Sequence, residues 1–309
     1  MERNMAIHLL PENMVDLSAI TTDEVYLPSL QQQQSTVHVL RLDKMDAIIS
    51  GNKWFKLQYY LAEAKRSGKK NIVSFGGPYS NHLVAVACAA ARAGFSSKGF
   101  VRGEAPAVKS PTLRDAESFG MQLHFLSRAS YNQKNDPTFI DELLKEYPET
   151  CLVPEGGAGD LGKRGAADIW NWIPPGAFTH VLCAVGTGTL LLGLASVPTR
   201  TETLIGIPVL KGFGNWINEQ VIPRPIAAAV IDGYHFGGYA KKNTALLAFM
   251  NEWYRATGIP TDFVYTGKLF FALQDLAQKA YFPEKSRLLV IHSGGLQGNR
   301  SLGANSLVF

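Results

Sequence analysis

Short apolar runs alternate with longer stretches of helical periodicity along most of this chain. Extended patterns fall at residues 37–42, 71–75, 98–101, 122–126, 151–153, 180–184, 204–207 and 287–292. Helical patterns fall between them, at 53–66, at an alanine-rich stretch ending at Gly94, and at 112–119, 137–146 and 161–172. Gly68 follows the first helical pattern as a plausible cap. A strand that must return to the same sheet through a helix runs parallel to its predecessor, by a right-handed crossover. The alternation therefore predicts an α/β protein with mostly parallel, doubly wound sheets. About nine to ten strand candidates divide more readily into two sheets than into one.

That organisation has strong functional consequences, because open parallel sheets bind ligands outside the carboxyl ends of their strands. Polar or glycine-rich segments stand at such ends here: 50–53, 76–82, 156–157, 186–189 and 293–295. The bulk numbers narrow the field. The chain has 309 residues, 46% hydrophobic and 18% charged, enough for one large domain or two smaller ones. Its net charge of +4 is modest and scattered. The cluster Lys65, Arg66, Lys69 and Lys70 sits at a helix end, where cations complement the dipole, and reads as a solvated face. No nucleic-acid partner is expected. Cys88, Cys151 and Cys183 share no metal-ligand spacing and lie in apolar runs, which predicts buried thiols in a reducing compartment. No metal is expected. The first 17 residues carry acidic residues and a proline where a signal peptide needs an apolar core. The apolar stretch 181–197 is interrupted by Gly186, Thr187, Gly188 and Thr189, so no membrane span is expected. A cytoplasmic protein follows as the expectation. Gln31 to Gln34 reads as a loop.

Each strand-end segment has an unremarkable reading beside a chemical one. Lys53 falls just after Ser-Gly-Asn at the mouth of a helical pattern. A free cation is poorly placed at a helix N-terminus, whereas a neutral or covalently engaged lysine suits it. Taken alone, it reads as a surface lysine. Gly186-Thr187-Gly188-Thr189 after an apolar strand suits an anion cradle of converging N–H groups, or simply a tight turn. It is neither a Walker loop nor a dinucleotide fingerprint. Ser80-Asn81-His82 at a helix start could receive a carboxylate, or Ser80 could be an ordinary N-cap. Tyr239 and Tyr265 stand in or beside glycine-bearing loops, where a tyrosine meets ligand more often than on a strand face. His235 and His292 show no metal spacing, and no Gly-x-Ser-x-Gly elbow supports a serine hydrolase. Together, a lysine, two anion-binding loops and loop tyrosines are the parts a pyridoxal phosphate site requires.

The segments SGNKWFKL (50–57), FGGPYSNH (75–82), PEGG (154–157), VGTGTLLLG (185–193), YHFGGYAK (234–241), VYTGK (264–268) and IHSGG (291–295) resemble those of the D-cysteine desulfhydrase and 1-aminocyclopropane-1-carboxylate deaminase family. This is a branch of the fold type II, tryptophan-synthase-β-like pyridoxal phosphate enzymes. The matches keep the family's order over nearly the whole chain. The resemblance implies a small domain at 53–154 and a large cofactor-binding domain at 1–52 with 155–309, a homodimer, and a small amino-acid substrate. Lys53 resembles the Schiff-base lysine, with Asn52 beside it. Ser80, Asn81 and His82 resemble the loop that receives the substrate carboxylate, and Asn81 also matches the residue facing the cofactor's phenolic oxygen. Gly186, Thr187, Gly188 and Thr189 match the phosphate loop. Tyr239 and Tyr265 match the two active-site tyrosines, and Thr266 and Ser293 match positions near the pyridine nitrogen. On this resemblance Lys53, Ser80, Tyr239 and Tyr265 are the catalytic candidates.

Departures stand beside the matches. Leu190 replaces a threonine of the phosphate loop, Phe55 stands where many members have arginine, and the stretch 193–203 looks shortened. His82 and Thr266 match the desulfhydrases, where deaminases tend to carry glutamine and glutamate. The resemblance thus favours an α,β-elimination on D-cysteine, with cyclopropane ring opening as the alternative. A non-catalytic small-ligand-binding protein that keeps the fold is a further one.

Overall fold

The computed structural model describes residues 7–221 and 225–309. The opening six residues of the N-terminal stretch discussed above lie outside them. The strands are β1 (Thr22–Val25), β2 (Thr36–Arg41), β3 (Asn71–Gly76), β4 (Ser96–Arg102), β5 (Met121–Leu126), β6 (Thr150–Val153), β7 (His180–Val185), β8 (Thr203–Pro208), β9 (Ala228–Val230) and β10 (Arg287–His292). They form a six-stranded sheet, ordered β1-β2-β10-β7-β8-β9, and a four-stranded sheet, ordered β5-β4-β3-β6. Every pairing is parallel except β1 with β2. The smaller sheet is built wholly from residues 71–153, and the larger from the segments on either side.

β10 shows why the large sheet is parallel and central. Leu288, Leu289, Val290 and Ile291 are all fully buried. Leu289 and Ile291 enter one core cluster, Leu288 and Val290 the other. A strand covered on both faces reads as a continuous apolar run, as this one does. Each such side chain contributes roughly 1.5–3 kcal/mol of burial.

The helices are α1 (Pro28–Gln31), α2 (Asn52–Arg66), α3 (Asn81–Ala93), α4 (Pro111–Ser118), α5 (Arg128–Asn132), α6 (Pro137–Lys145), α7 (Asp160–Ala167), α8 (Thr189–Ala195), α9 (Gly214–Val221), α10 (Thr244–Thr257) and α11 (Thr266–Gln278). Three differences from the sequence reading have local causes. The pattern at 161–172 is split, because α7 gives way to a 3-10 turn at Asp168–Trp172. Gln31 ends α1, and Gln32 to Gln34 form the turn after it. β1 and β9 are short and partly buried, too brief to show a period. No helix among the described residues is long and apolar enough to cross a membrane.

Two helix starts set up the site. α3 begins at Ser80, whose hydroxyl accepts from the Leu83 N–H at 3.3 Å, and ends at Gly94 in the left-handed region. α2 begins at Gly51, with φ +64° and no side-chain cap. A Cβ at Gly51 would collide with the Ser293 carbonyl, and the Asn52 N–H reaches that same carbonyl at 3.3 Å. Glycine there lets the start of α2 press against the end of β10, which brings Lys53 to the carboxyl edge of the large sheet.

Candidate active site

A cavity of about 440 Å³ opens between the carboxyl ends of the two sheets. The small sheet contributes Gly77, Ser80, Asn81 and His82 from the segment after β3. The large sheet contributes Gly186, Thr187 and Gly188 after β7, and Ser293 and Gly294 after β10. Asn52 and Lys53 enter from α2, and Tyr239 and Tyr265 close another side.

Of the residues to which the resemblance gives a catalytic, cofactor or substrate role, Thr189 and Thr266 alone do not line the cavity. Thr189 supports the loop from behind, its hydroxyl 2.9 Å from that of Thr187. The Thr266 hydroxyl donates to Asp262 Oδ1 at 2.8 Å and accepts from the Asp262 N–H at 2.7 Å. Its hydrogen is committed to the carboxylate, so of the two hydroxyls matched to the pyridine nitrogen, the one open to the cavity is that of Ser293.

Lys53 is half-buried at the cavity wall, and among the described residues its ammonium has one hydrogen bond, to Asn52 Oδ1 at 3.1 Å. Burial lowers its pKa from 10.5 to about 8, against a partial upward pull from Asp262. Nζ lies 5.6 Å from the centre of the Tyr265 ring. The Tyr239 and Tyr265 rings meet edge-on with centres 6.2 Å apart. Both phenols are pushed up, by loss of solvent first and, for Tyr265, by Tyr239 second, so both stay protonated at neutral pH, although Tyr239 keeps 42% of its surface open to solvent. His82 is held neutral by burial and by the nearby lysines, its pKa falling to about 3. Its Nε2 lies 2.9 Å from the Ser74 hydroxyl, which donates to the Val153 carbonyl at 2.7 Å. His82 therefore braces β3 against β6 as well as lining the cavity.

Sequence reasoning missed four residues of this region. Lys56 lines the cavity three positions after Lys53, and the helical period alone would have placed the two on one face. Burial, and then the charge of Lys53, lower the Lys56 pKa to about 7. No carboxylate of the described residues pairs with it. Arg102, at the end of β4, and Glu155, after β6, stand on the cavity wall at strand ends, the position that marks sites in such sheets. Asp262 is fully buried behind the wall and accepts from the N–H groups of Val264, Tyr265 and Thr266, each at 2.9 Å. Nothing in the sequence announced that carboxylate.

The departures are accommodated by packing. Phe55 is buried edge-on against Trp172, with ring centres 5.1 Å apart. Leu190 is buried and faces the cavity without a hydroxyl to offer.

The donors left open fit pyridoxal phosphate. Among the described residues Lys56 is a buried amine with no anion, and it lines the same cavity as the loop turned by Gly188 at φ +81°. The Thr187 and Gly188 N–H groups have no partner among the described residues. Together they suit a phosphate. Lys53 supplies an amine of depressed pKa for an aldehyde, and the buried Asn81 Oδ1 has no partner while its Nδ2 donates to the Gly295 carbonyl at 3.1 Å. Groups of three or more potential metal ligands are absent among the described residues.

Comparison with known proteins agrees. A Pyrococcus horikoshii protein, whose name provisionally assigns it 1-aminocyclopropane-1-carboxylate deaminase, is 27% identical over 94% of this chain and 94% of its own. A D-cysteine desulfhydrase of Klebsiella pneumoniae is 25% identical over 91% of this chain and 93% of its own. A crystal structure described as an ACC deaminase homologue superposes with a TM-score of 0.76 at 26% identity, covering 96% of each chain. The model of the pyridoxal-phosphate dependent enzyme family matches residues 16–294, and this chain, an α/β protein of fold type II, belongs to that family of enzymes.

Proposed function

We propose that the protein catalyses α,β-elimination on a small amino acid, D-cysteine foremost, giving pyruvate, hydrogen sulfide and ammonia. The observation that carries this reading is Lys53, a half-buried and under-bonded amine in the cavity wall, placed over the Tyr265 ring. When bound, pyridoxal phosphate supplies an electron-withdrawing ring conjugated to the substrate nitrogen, which acidifies the Cα proton. Lys53 and Lys56 with the 186–189 loop would hold it. Ser80 uses its hydroxyl as acceptor for the Leu83 N–H, which leaves the hydroxyl hydrogen free for the substrate carboxylate. Asn81 and His82 close that side. Neutral Lys53, accessible near neutral pH because its pKa is about 8, takes the proton from Cα. The Cβ–S bond breaks with its electron pair leaving on sulfur. Tyr239 and Tyr265, both protonated at neutral pH, orient the substrate and carry a proton toward the departing group. Water then releases ammonia and pyruvate. His82 and Thr266 at their positions support the desulfhydrase branch. In the same reading residues 53–154 form the smaller of two domains, and the enzyme works as a cytoplasmic homodimer.

Ring opening of 1-aminocyclopropane-1-carboxylate is the second reading. It is supported by the Pyrococcus relative, whose name provisionally gives that activity, and by the structural neighbour, described as a homologue of that deaminase. One experiment separates them. The cofactor-loaded protein is given D-cysteine, L-cysteine and 1-aminocyclopropane-1-carboxylate in turn, with sulfide, pyruvate and 2-oxobutyrate measured. Sulfide and pyruvate from D-cysteine are expected. 2-Oxobutyrate without sulfide would move the assignment to the deaminase, and no product from any of the three would sink both.

A further inference from the structure

Lys268 is a fully buried cation that has no place in the chemistry above. It lies on α11 behind the Tyr265 wall, and no carboxylate of the described residues pairs with it. Its ammonium donates to two backbone carbonyls, those of His235 at 2.8 Å and Gly238 at 2.7 Å. Those carbonyls open two successive turns. The His235 carbonyl also accepts from the Gly238 N–H at 3.0 Å, and the Gly238 carbonyl from the Lys241 N–H at 3.1 Å. Tyr239 is the first central residue of the second turn.

Both turns are held in demanding conformations. Phe236 and Gly237, at the centre of the first, have φ of 53° and 94°. Ala240, at the second central position of the next, has φ 53°, where glycine is the ordinary residue. Non-glycine residues persist in this region only where their surroundings hold them there. Lys268 is a holding group that bonds both turns at once.

We propose that Lys268 is a positioning residue, which locks the 235–241 loop so that Tyr239 stands over the cavity against Tyr265. The inference rests on the part given to Tyr239 above. It acts through the loop alone, so removing Lys268 slows the reaction by displacing Tyr239 and leaves the Lys53 side of the cavity unchanged.

A functional double-mutant cycle tests this on the cofactor-loaded protein. K268M, Y239F and K268M/Y239F are compared for kcat, KM and the visible absorbance of the bound cofactor, with whichever amino acid the wild type consumes. K268M is expected to lower kcat roughly 10- to 100-fold, the scale of an ångström-sized misplacement. KM and cofactor absorbance stay near those of the wild type. In the Y239F background the same change costs no more than about twofold, because the group it positioned is gone. An equal loss in both backgrounds, or full turnover by K268M, overturns the proposal. K268Q, which keeps donors on a shorter side chain, gives the same cycle with a smaller loss if K268M does not fold. Full turnover by Y239F would remove Tyr239's part and this inference with it, while product formation by the wild type would leave the proposed reaction standing.

Discussion

Lys53, half-buried in the cavity wall, and Lys268, fully buried behind it, are both lysines whose pKa falls to about 8, for the same reason. Burial penalises the charge, and Asp262 partly restores it. Their surroundings differ in one respect. Lys268 is satisfied by two carbonyls at 2.7–2.8 Å, whereas among the described residues Lys53 has a single amide contact at 3.1 Å and Lys56 beside it has none. A depressed pKa therefore does not by itself mark a reactive amine. An unmet bonding capacity facing a cavity does, because such a group gains by engaging a ligand.

Removing Lys53 breaks the comparison most severely. K53A is expected to lower turnover by roughly 10²–10⁴-fold, the loss of a positioned proton acceptor, and to abolish the visible absorbance of lysine-bound cofactor. An unchanged spectrum would overturn the assignment of Lys53. Lys56 sharpens the contrast at intermediate size. K56M removes a charged donor from the phosphate side, so cofactor affinity should fall roughly 10- to 100-fold in equilibrium titration. The cofactor-free protein should be no less stable than wild type, since an unpaired buried charge has been deleted. Unaltered cofactor affinity would remove Lys56 from the phosphate site.

The smallest effect is a pH dependence of the cofactor-free protein. Lys53, Lys56 and Lys268 have native pKa values of about 8, 7 and 8 against 10.5 unfolded. Between about 8 and 10 the unfolded chain binds more protons than the native one, so stability rises with pH across that window. The penalty is fully present only well below the lowest of these native values, that of Lys56. Urea midpoints measured from pH 7 to pH 10 should climb, and cofactor should flatten the climb by engaging Lys53 and Lys56. A midpoint independent of pH would show that these amines are not desolvated as described.

Much of the site was legible because it sits on punctuation. Gly51, Gly186, Gly188 and Gly294 stand where the backbone turns or closely approaches a neighbour, and the residues beside them inherit a place at a strand end. Lys53, Ser80 and Tyr265 could be found for that reason. Lys56 was missed although its spacing from Lys53 was plain, because a lysine in a helical pattern ordinarily faces water. Asp262, and the tie of the Thr266 hydroxyl to it, were beyond reach, since those hydrogen bonds depend on how the 262–266 turn folds back on itself.

The order of strands and helices, the two sheets and the placing of polar segments at strand ends were determined by the sequence itself, through local periodicity and glycine. Only the tertiary structure decided which amines are starved of partners and which are satisfied. Bonding capacity is settled by groups distant in the chain: Ser293 against Gly51, Gly295 against Asn81, His235 and Gly238 against Lys268. Local patterning fixes where a side chain starts, and packing fixes whether it has anything left to give.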